Sequence, residues 1–130
     1  MKVLLVGFEE IEVEGIRILL GGLGEVKAVP RSQADWSVEE IVESGEEGRC
    51  DWRDRRFVII HEGEDMIREV INRIKFLDLG SIIFATTTPT SLKWSLSKLL
   101  DELEAEDEYF KKMGSPLHSF RTFNVREEEF

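Results

Sequence analysis

Residues 82–100 read IIFATTTPTSLKWSLSKLL, and this stretch decides the fold class. It opens with an apolar run over 82–85, which is typical of a strand covered on both faces. A loop rich in hydroxyl groups follows, and Trp94-Ser95 then leads into leucines that recur as on one side of a helix. Strand, loop and helix in this order are typical of an α/β protein.

The first half of the chain carries the same order of features. Val3–Val6 is echoed by 58–61 at an offset of 55, and Trp36-Ser37 is echoed by Trp94-Ser95 at an offset of 58. Each half reads as strand, amphipathic helix, strand, loop and helix. This internal duplication predicts two β-α-β-α repeats, which occupy about 1–45 and about 56–113.

The strands suit one shared sheet. The runs at 3–6, 57–60 and 82–85 are continuously apolar, whereas 26–29 alternates and predicts an edge strand. Strand–helix–strand units pair their strands in parallel through right-handed crossovers. We therefore predict an α/β fold with a four-stranded, mostly parallel sheet and helices on both faces, forming a single domain over 1–130. The alternative is an α+β two-layer sandwich.

Spacing and capping residues predict the helices. The core stripe of the first helix is predicted to hold Ile11, Gly15, Ile16, Leu19 and Leu20. Ser37 and Glu40 have the spacing of a capping box, in which the serine hydroxyl accepts from the Glu40 amide. Ser95 begins the last helix, but Lys98 stands where the second half of such a box needs a carboxylate.

A polar linker joins the halves, and a tail follows the last helix. The linker, 46–55, mixes arginines with Asp51 and Asp54, and we interpret it as a solvated charged segment. The tail, 114–130, starts with a helix-breaking Gly-Ser-Pro. Within it, 117–126 predicts an edge strand that caps this chain's sheet or reaches another subunit.

Charge and composition exclude several classes of partner. The chain has 27 acidic and 17 basic residues, a net charge of −10, and it is 42% hydrophobic and 34% charged. These proportions are those of a folded globular protein. The negative field repels nucleic acid phosphates and anionic membrane surfaces, so we expect no nucleic acid and no membrane partner. No apolar run approaches the ~18 residues of a membrane-spanning helix.

The single cysteine, Cys50, has no partner for an internal disulfide and no metal-binding spacing. A single cysteine of this kind is typical of a protein in a reducing cytoplasm. We expect no metal site and no cofactor. One Gln and two Asn stand against 20 Glu, a composition found in heat-adapted proteins.

The best-defined motif is Thr88-Pro89-Thr90-Ser91-Leu92-Lys93-Trp94-Ser95-Leu96. It resembles a family of small prokaryotic domains of unknown function, whose hallmark is T-P-T-N-x-x-W-T-L-x-x-L-L-x-E-L. The resemblance is good over about 57–113 and looser in the first half, where Pro30-Arg31-Ser32-Gln33 stands in place of T-P-T-N. Ser91 replaces the Asn and Ser95 replaces the Thr. The resemblance implies an architecture, apparently in two copies, and no activity.

The loop after the last strand is one candidate site. It leaves the carboxyl end of a buried strand, where open α/β sheets bind ligands, and it enters a helix amino end, which favours anions. The candidate ligand-binding residues are Thr86, Thr87, Thr88, Thr90, Ser91 and Lys93. The loop lacks a glycine-rich phosphate cradle. In the alternative interpretation its hydroxyls satisfy the turn and cap the helix.

Apolar aromatic residues form a second candidate. Trp94, with Phe120 and Phe123 of the tail, is a candidate anchor for a partner, since aromatic side chains dominate interface energetics. The alternative is that Trp36 and Trp94 each pack on their own helix as a hydrophobic staple.

Catalytic patterns are not apparent. His61 ends a strand beside Glu62, which suits a base, a metal ligand or simply a hydrogen-bonded polar residue. No Ser-His-Asp order, Cys-His pair or GxSxG motif occurs. We therefore expect a non-catalytic protein-interaction module, as a homodimer or with a protein partner. The alternative is a small-molecule or anion-binding domain that uses Thr86–Ser91.

Overall fold

Four strands and four helices follow one another in the computed structural model, which describes residues 1–113. The strands are β1 (Lys2–Val6), β2 (Glu25–Ala28), β3 (Arg56–His61) and β4 (Ile82–Thr86). The helices are α1 (Glu10–Leu20), α2 (Val38–Glu43), α3 (Ile67–Lys75) and α4 (Leu96–Met113). The order is β-α-β-α in each half, as the sequence predicts.

The strands form one sheet in the order β2-β1-β3-β4. The outer pairs β1–β2 and β3–β4 are parallel, and the central pair β1–β3 is antiparallel. The α/β fold with a mostly parallel four-stranded sheet is therefore confirmed. The alternating segment at 26–29 belongs to an edge strand, β2, also as predicted.

Hydrophobic cores lie on both faces of the sheet. Val3 and Leu5 of β1 pack in the core with residues of α1 and α3, whereas Leu4 and Val6 pack in the core with residues of α2 and α4. Successive side chains of a strand point to opposite faces, so a strand that is apolar throughout serves two cores. The two-layer sandwich is therefore wrong, because helices cover both faces.

The central pair has a two-fold pattern. Leu4 lies opposite Ile59, its counterpart at the offset of 55. On the face that carries α2 and α4, Ser37 lies opposite Ser95, its counterpart at the offset of 58, in an antiparallel bridge. Residues at matching offsets in the two halves thus meet between β1 and β3 and at the starts of α2 and α4.

The buried stripe of α1 contains Ile16 and Leu20, as predicted, but not Ile11. Val13, Ile16 and Leu20 are buried, whereas Ile11 is 81% exposed. At 100° per residue, positions 11 and 16 lie about 140° apart around the helix, so one face cannot bury both. The prediction of Ile11 as a core residue is therefore wrong.

The predicted caps are present. Ser37 Oγ accepts from the Glu40 N–H at 3.1 Å, and Glu40 Oε1 accepts from the Ser37 N–H at 3.0 Å. Ser95 Oγ accepts from the Lys98 N–H at 3.1 Å without a reciprocal bond from Lys98, as expected.

The arginines at the end of the linker and at the start of β3 form ion pairs within the fold, whereas we predicted a solvated charged segment. Arg53 bonds Glu104 at 2.8 Å and Arg55 bonds Asp107 at 2.6 Å, both on α4. A third, Arg56, bonds Glu12 of α1 at 2.9 Å. Their positive charges are therefore paired within the fold.

Candidate functional site

The candidate ligand loop connects β4 to α4. Thr86, Thr87 and Ser91 are buried, whereas Thr90 and Lys93 are exposed. The structure thus places Thr86 at the end of β4 and the other five predicted residues in the loop that follows, and it turns the six in different directions. Only part of the set faces solvent.

Thr88 and Ser91 bond one another. The Thr88 N–H donates to Ser91 Oγ at 2.9 Å, and the Ser91 N–H donates to Thr88 Oγ1 at 3.0 Å. Ser/Thr side chains commonly close turns in this way. Both hydroxyl groups therefore stabilise the turn by accepting backbone hydrogen bonds within the loop.

The amino end of α4 is also occupied. The Leu96 N–H donates to the Trp36 carbonyl oxygen, and the Ser97 N–H donates to the Ala34 carbonyl oxygen, each at 2.9 Å. The Lys98 N–H donates to Ser95 Oγ. An anion at a helix amino end is held by N–H groups that lack a partner in the helix. Here three of those groups already have partners in the chain.

His61 joins the candidate loop through a contact that the sequence does not reveal. His61 Nδ1 and Thr87 Oγ1 lie 2.9 Å apart, and His61 Nε2 and Glu62 Oε1 also lie 2.9 Å apart. Glu62 has a φ of 56°, which is uncommon for a residue with a side chain. A carboxylate, imidazole and hydroxyl in series is the arrangement that activates a nucleophile. Because Thr87 is buried, this series instead ties the end of β3 to the residue after β4.

The two tryptophans directly precede the bridged serines Ser37 and Ser95. Trp36 and Trp94 are half-buried and pack against the core under α2 and α4. The Lys98 ammonium lies 4.6 Å from the centre of the Trp94 ring, which suits a cation–π contact. Phe120 and Phe123, the other predicted anchors, lie outside the described residues.

An open cleft of about 460 Å³ lies at the carboxyl ends of β1 and β2. Its apolar lining comes from Phe8, Val13, Ala28 and Cys50. Two arginines stand at the cleft, and both are paired: Arg17 with Glu47 at 3.0 Å and Arg49 with Asp51 at 2.8 Å. The cleft was not predicted, because the segment around Cys50 reaches it only through the tertiary fold.

Cys50 is the buried thiol of that cleft. Its Sγ donates to the Phe8 carbonyl oxygen at 3.4 Å, and the residue is 2% exposed. Burial raises the pKa of the Cys50 thiol above its ordinary value. A nucleophilic cysteine needs a lowered pKa and access, so Cys50 has the character of a structural residue.

Lys27 is buried at the edge of the sheet. Its ammonium donates to the carbonyl oxygens of Ile41 at 2.7 Å and Ser44 at 3.0 Å, at the end of α2. Burial lowers the pKa of Lys27, and the nearby charge of Lys2 lowers it further. Carbonyl groups at a helix end favour a cation, so this lysine caps α2.

Large apolar side chains protrude from the layer of α1 and α3. Ile11 and Ile18 are 81% and 78% exposed on α1, and Phe76 is 81% exposed at the end of α3. Tyr109 of α4 is a fourth large exposed side chain, and it lies on the opposite side of the sheet. These side chains were missed as candidates because the sequence does not state which side of a helix faces the core.

Metal and membrane sites find no support in residues 1–113. No group of three or more His, Cys, Asp or Glu in this range is arranged to hold a metal ion. None of the helices in this range combines the length and apolar character that crossing a bilayer requires.

Residues 56–110 match the model of a domain of unknown function, DUF3783. The match spans β3 to α4 and includes the loop with its Trp94. The predicted resemblance to a small family of unknown function is confirmed for this part of the chain. No curated protein and no solved structure matches the chain.

Proposed function

We propose that the protein is a non-catalytic protein-interaction module. One observation carries this proposal: Ile11, Ile18 and Phe76 present three large apolar side chains to solvent on one helical layer. Burying such a side chain against a partner contributes about 2 kcal/mol. Exposed apolar side chains that gather on one surface mark interaction sites.

The alternative, anion or small-molecule binding at Thr86–Ser91, has weaker support. Of the predicted ligand groups, Thr90 and Lys93 face solvent, whereas Thr88 and Ser91 bond each other. A ligand at this loop would rely on two exposed side chains. We therefore rank this function second.

We also infer that the two halves are copies of one β-α-β-α unit, which function within a single domain in the cytoplasm. The pairings of Leu4 with Ile59 and of Ser37 with Ser95 support the duplication, because each joins equivalent positions. The free, buried Cys50 supports a reducing compartment.

The proposal is tested by quantitative affinity capture from a lysate of the source organism. The baits are the wild-type chain, an Ile11→Glu/Ile18→Glu variant and a Tyr109→Glu control on the opposite side of the sheet. We expect the wild type and the control to retain the same proteins, and the double variant to lose at least one of them. Equal retention by all three baits contradicts the proposal.

A further inference from the structure

Helices α1 and α3 form one antiparallel layer. A Cβ atom on Gly15 would lie 3.4 Å from Leu77 Cδ1, and Arg73 Nη1 donates to the Leu19 carbonyl oxygen at 3.0 Å. Residue numbers thus rise along one helix as they fall along the other. Side chains that project outward from the two helices therefore belong to one surface, which we call the α1–α3 face.

The exposed apolar residues share this face. Ile11 and Ile18 are seven positions apart, which is two turns, so they project from the same side of α1. Gly15 lies between them, and it touches Leu77, the neighbour of Phe76. The apolar side chains of both helices are therefore close enough to be covered by one partner.

The two helices carry opposite charges. Helix α1 has three glutamates and one arginine, a net charge of −2: Glu10, Glu12, Glu14 and Arg17. Helix α3 has three bases and one glutamate, a net charge of +2: Arg68, Glu69, Arg73 and Lys75. A two-fold axis that lies in the interface and runs along the helices sets α1 of one copy against α3 of the other, which brings opposite charges together twice.

We propose that a second copy of this chain covers the α1–α3 face, in a symmetric dimer with α1 packed on α3 of the other copy. The net charge of −10 makes two copies repel each other over most surfaces. On this face the exposed Glu10 and Glu14 of α1 and the exposed Arg68 and Lys75 of α3 accompany the apolar side chains, so the same axis sets opposite charges of the two copies against each other. The inference rests on the proposed function and names its partner.

The first test is the mass of the full chain in solution by sedimentation equilibrium. The wild type is expected to be a dimer, and Ile18→Glu is expected to raise the dissociation constant at least roughly a hundredfold, because the symmetry counts the change twice. Tyr109→Glu serves as the matched control and leaves the dimer intact. Circular dichroism checks folding, which we expect to be unchanged because Ile18 is largely exposed.

A charge-exchange pair tests the arrangement of the helices. Glu10→Lys/Glu14→Lys makes both helices basic, and Arg68→Glu/Lys75→Glu makes both acidic. Each variant alone is expected to be monomeric, and an equal mixture is expected to form a heterodimer that native mass spectrometry separates by mass. A mixture that stays monomeric overturns the proposed arrangement.

Two outcomes distinguish the inference from the proposed function. A wild-type chain that stays monomeric up to roughly 1 mM overturns the dimer, whereas loss of a different captured protein by the double variant still supports an interaction module. A wild-type dimer that Ile18→Glu leaves intact also overturns the inference, because the copies then meet elsewhere.

Discussion

Ser37 and Ser95 lie opposite each other in an antiparallel bridge, although 58 positions separate them in the chain. The bridge is flanked by two equivalent hydrogen bonds, from the Val38 N–H to the Trp94 carbonyl oxygen and from the Leu96 N–H to the Trp36 carbonyl oxygen, each at 2.9 Å. The first residue of each helix is thus bonded to the tryptophan that precedes the other helix. The two halves are joined here as well as through the sheet.

The two serines differ in their side-chain bonds, and this predicts unequal losses of stability. We expect Ser37→Ala to lower the free energy of unfolding by about 1 kcal/mol, because its hydroxyl both accepts from and donates to Glu40. Ser95→Ala is expected to lower the free energy of unfolding by less, since Lys98 has no carboxylate that could accept a bond from the Ser95 N–H. Urea unfolding measures both, with the exposed Ser32→Ala as control. An equal loss at both serines contradicts this account.

Gly7 is a position where a side chain has no room. Its φ is 91°, and a Cβ atom there would run into the Arg55 carbonyl oxygen. We expect Gly7→Ala to destabilise the protein by about 3 kcal/mol, from the backbone strain and the clash together. Gly45→Ala is the matched control, because a Cβ atom on Gly45 meets nothing within 4 Å. Thermal or urea unfolding that shows equal effects for the two variants contradicts the prediction.

The loop hydroxyls are expected to act on stability rather than on ligands. Thr88→Ala removes the acceptor of the Ser91 N–H and is expected to cost about 1 kcal/mol. Thr90→Ala, at an exposed position of the same loop, is expected to change stability by less than about 0.5 kcal/mol. Unfolding in urea measures both.

Titration of the same loop variants with inorganic phosphate by calorimetry tests the alternative function. Binding to the wild type that Thr90→Ala weakens would favour an anion site at this loop. We expect no heat of binding, because the N–H groups at the start of α4 already have acceptors.

Cys50 reports on the segment 47–50, which lines the cleft. The thiol is buried and its pKa is raised, so we expect a disulfide reagent to label it at least roughly a hundredfold more slowly than in urea. Gly48→Ala is expected to speed labelling, because a Cβ atom there would lie 2.8 Å from Pro30 Cβ. Gly45→Ala is the control, and it should label like the wild type. Fast labelling of the wild type would show that the segment opens readily.

Asp107 links stability to pH. Burial alone raises the pKa of Asp107, but hydrogen bonds from Arg55 and Lys111 outweigh it and hold this pKa below its ordinary value of 3.8. A carboxyl group whose pKa is lower in the folded state than in the unfolded state stabilises the fold at pH values above its ordinary pKa. This contribution is lost as the pH falls through the lowered pKa. We expect Asp107→Asn to flatten the loss of stability on acidification.

Urea midpoints measured from about pH 5 down to about pH 2.5 test this dependence on acid. The exposed Asp35→Asn is the control and should keep the slope of the wild type. A slope that Asp107→Asn leaves unchanged contradicts the role assigned to the pairs with Arg55 and Lys111.

Much of the secondary structure was predictable because it depends on neighbours in sequence. The apolar run at 82–85, the edge character of 26–29 and the Ser37–Glu40 box each follow from residues within a few positions. The pairing of His61 with Thr87, 26 positions apart, does not. The pairing of Arg55 with Asp107, 52 positions apart, does not follow from neighbouring residues either, since each of these contacts forms only when two elements pack together.

The exposure of Ile11 shows a further limit of the sequence. Its apolar character and spacing suggested the core, but the rotation of α1 against the sheet turned Ile11 outward and Val13 inward. That rotation is set by the packing of Ile16 and Leu20 against the sheet, which no local pattern states. The candidate interaction surface follows from this rotation, and it therefore could not be predicted from the sequence.

Local spacing and side-chain chemistry were enough to predict the element order, the four strands and the caps. The three-dimensional fold was needed to show that β1 and β3 pair in antiparallel, that Thr88 and Ser91 bond each other, and that Ile11, Ile18 and Phe76 face solvent. The physical reason is that these features depend on contacts between distant segments, whose free energies are settled together when the two cores close on the shared sheet.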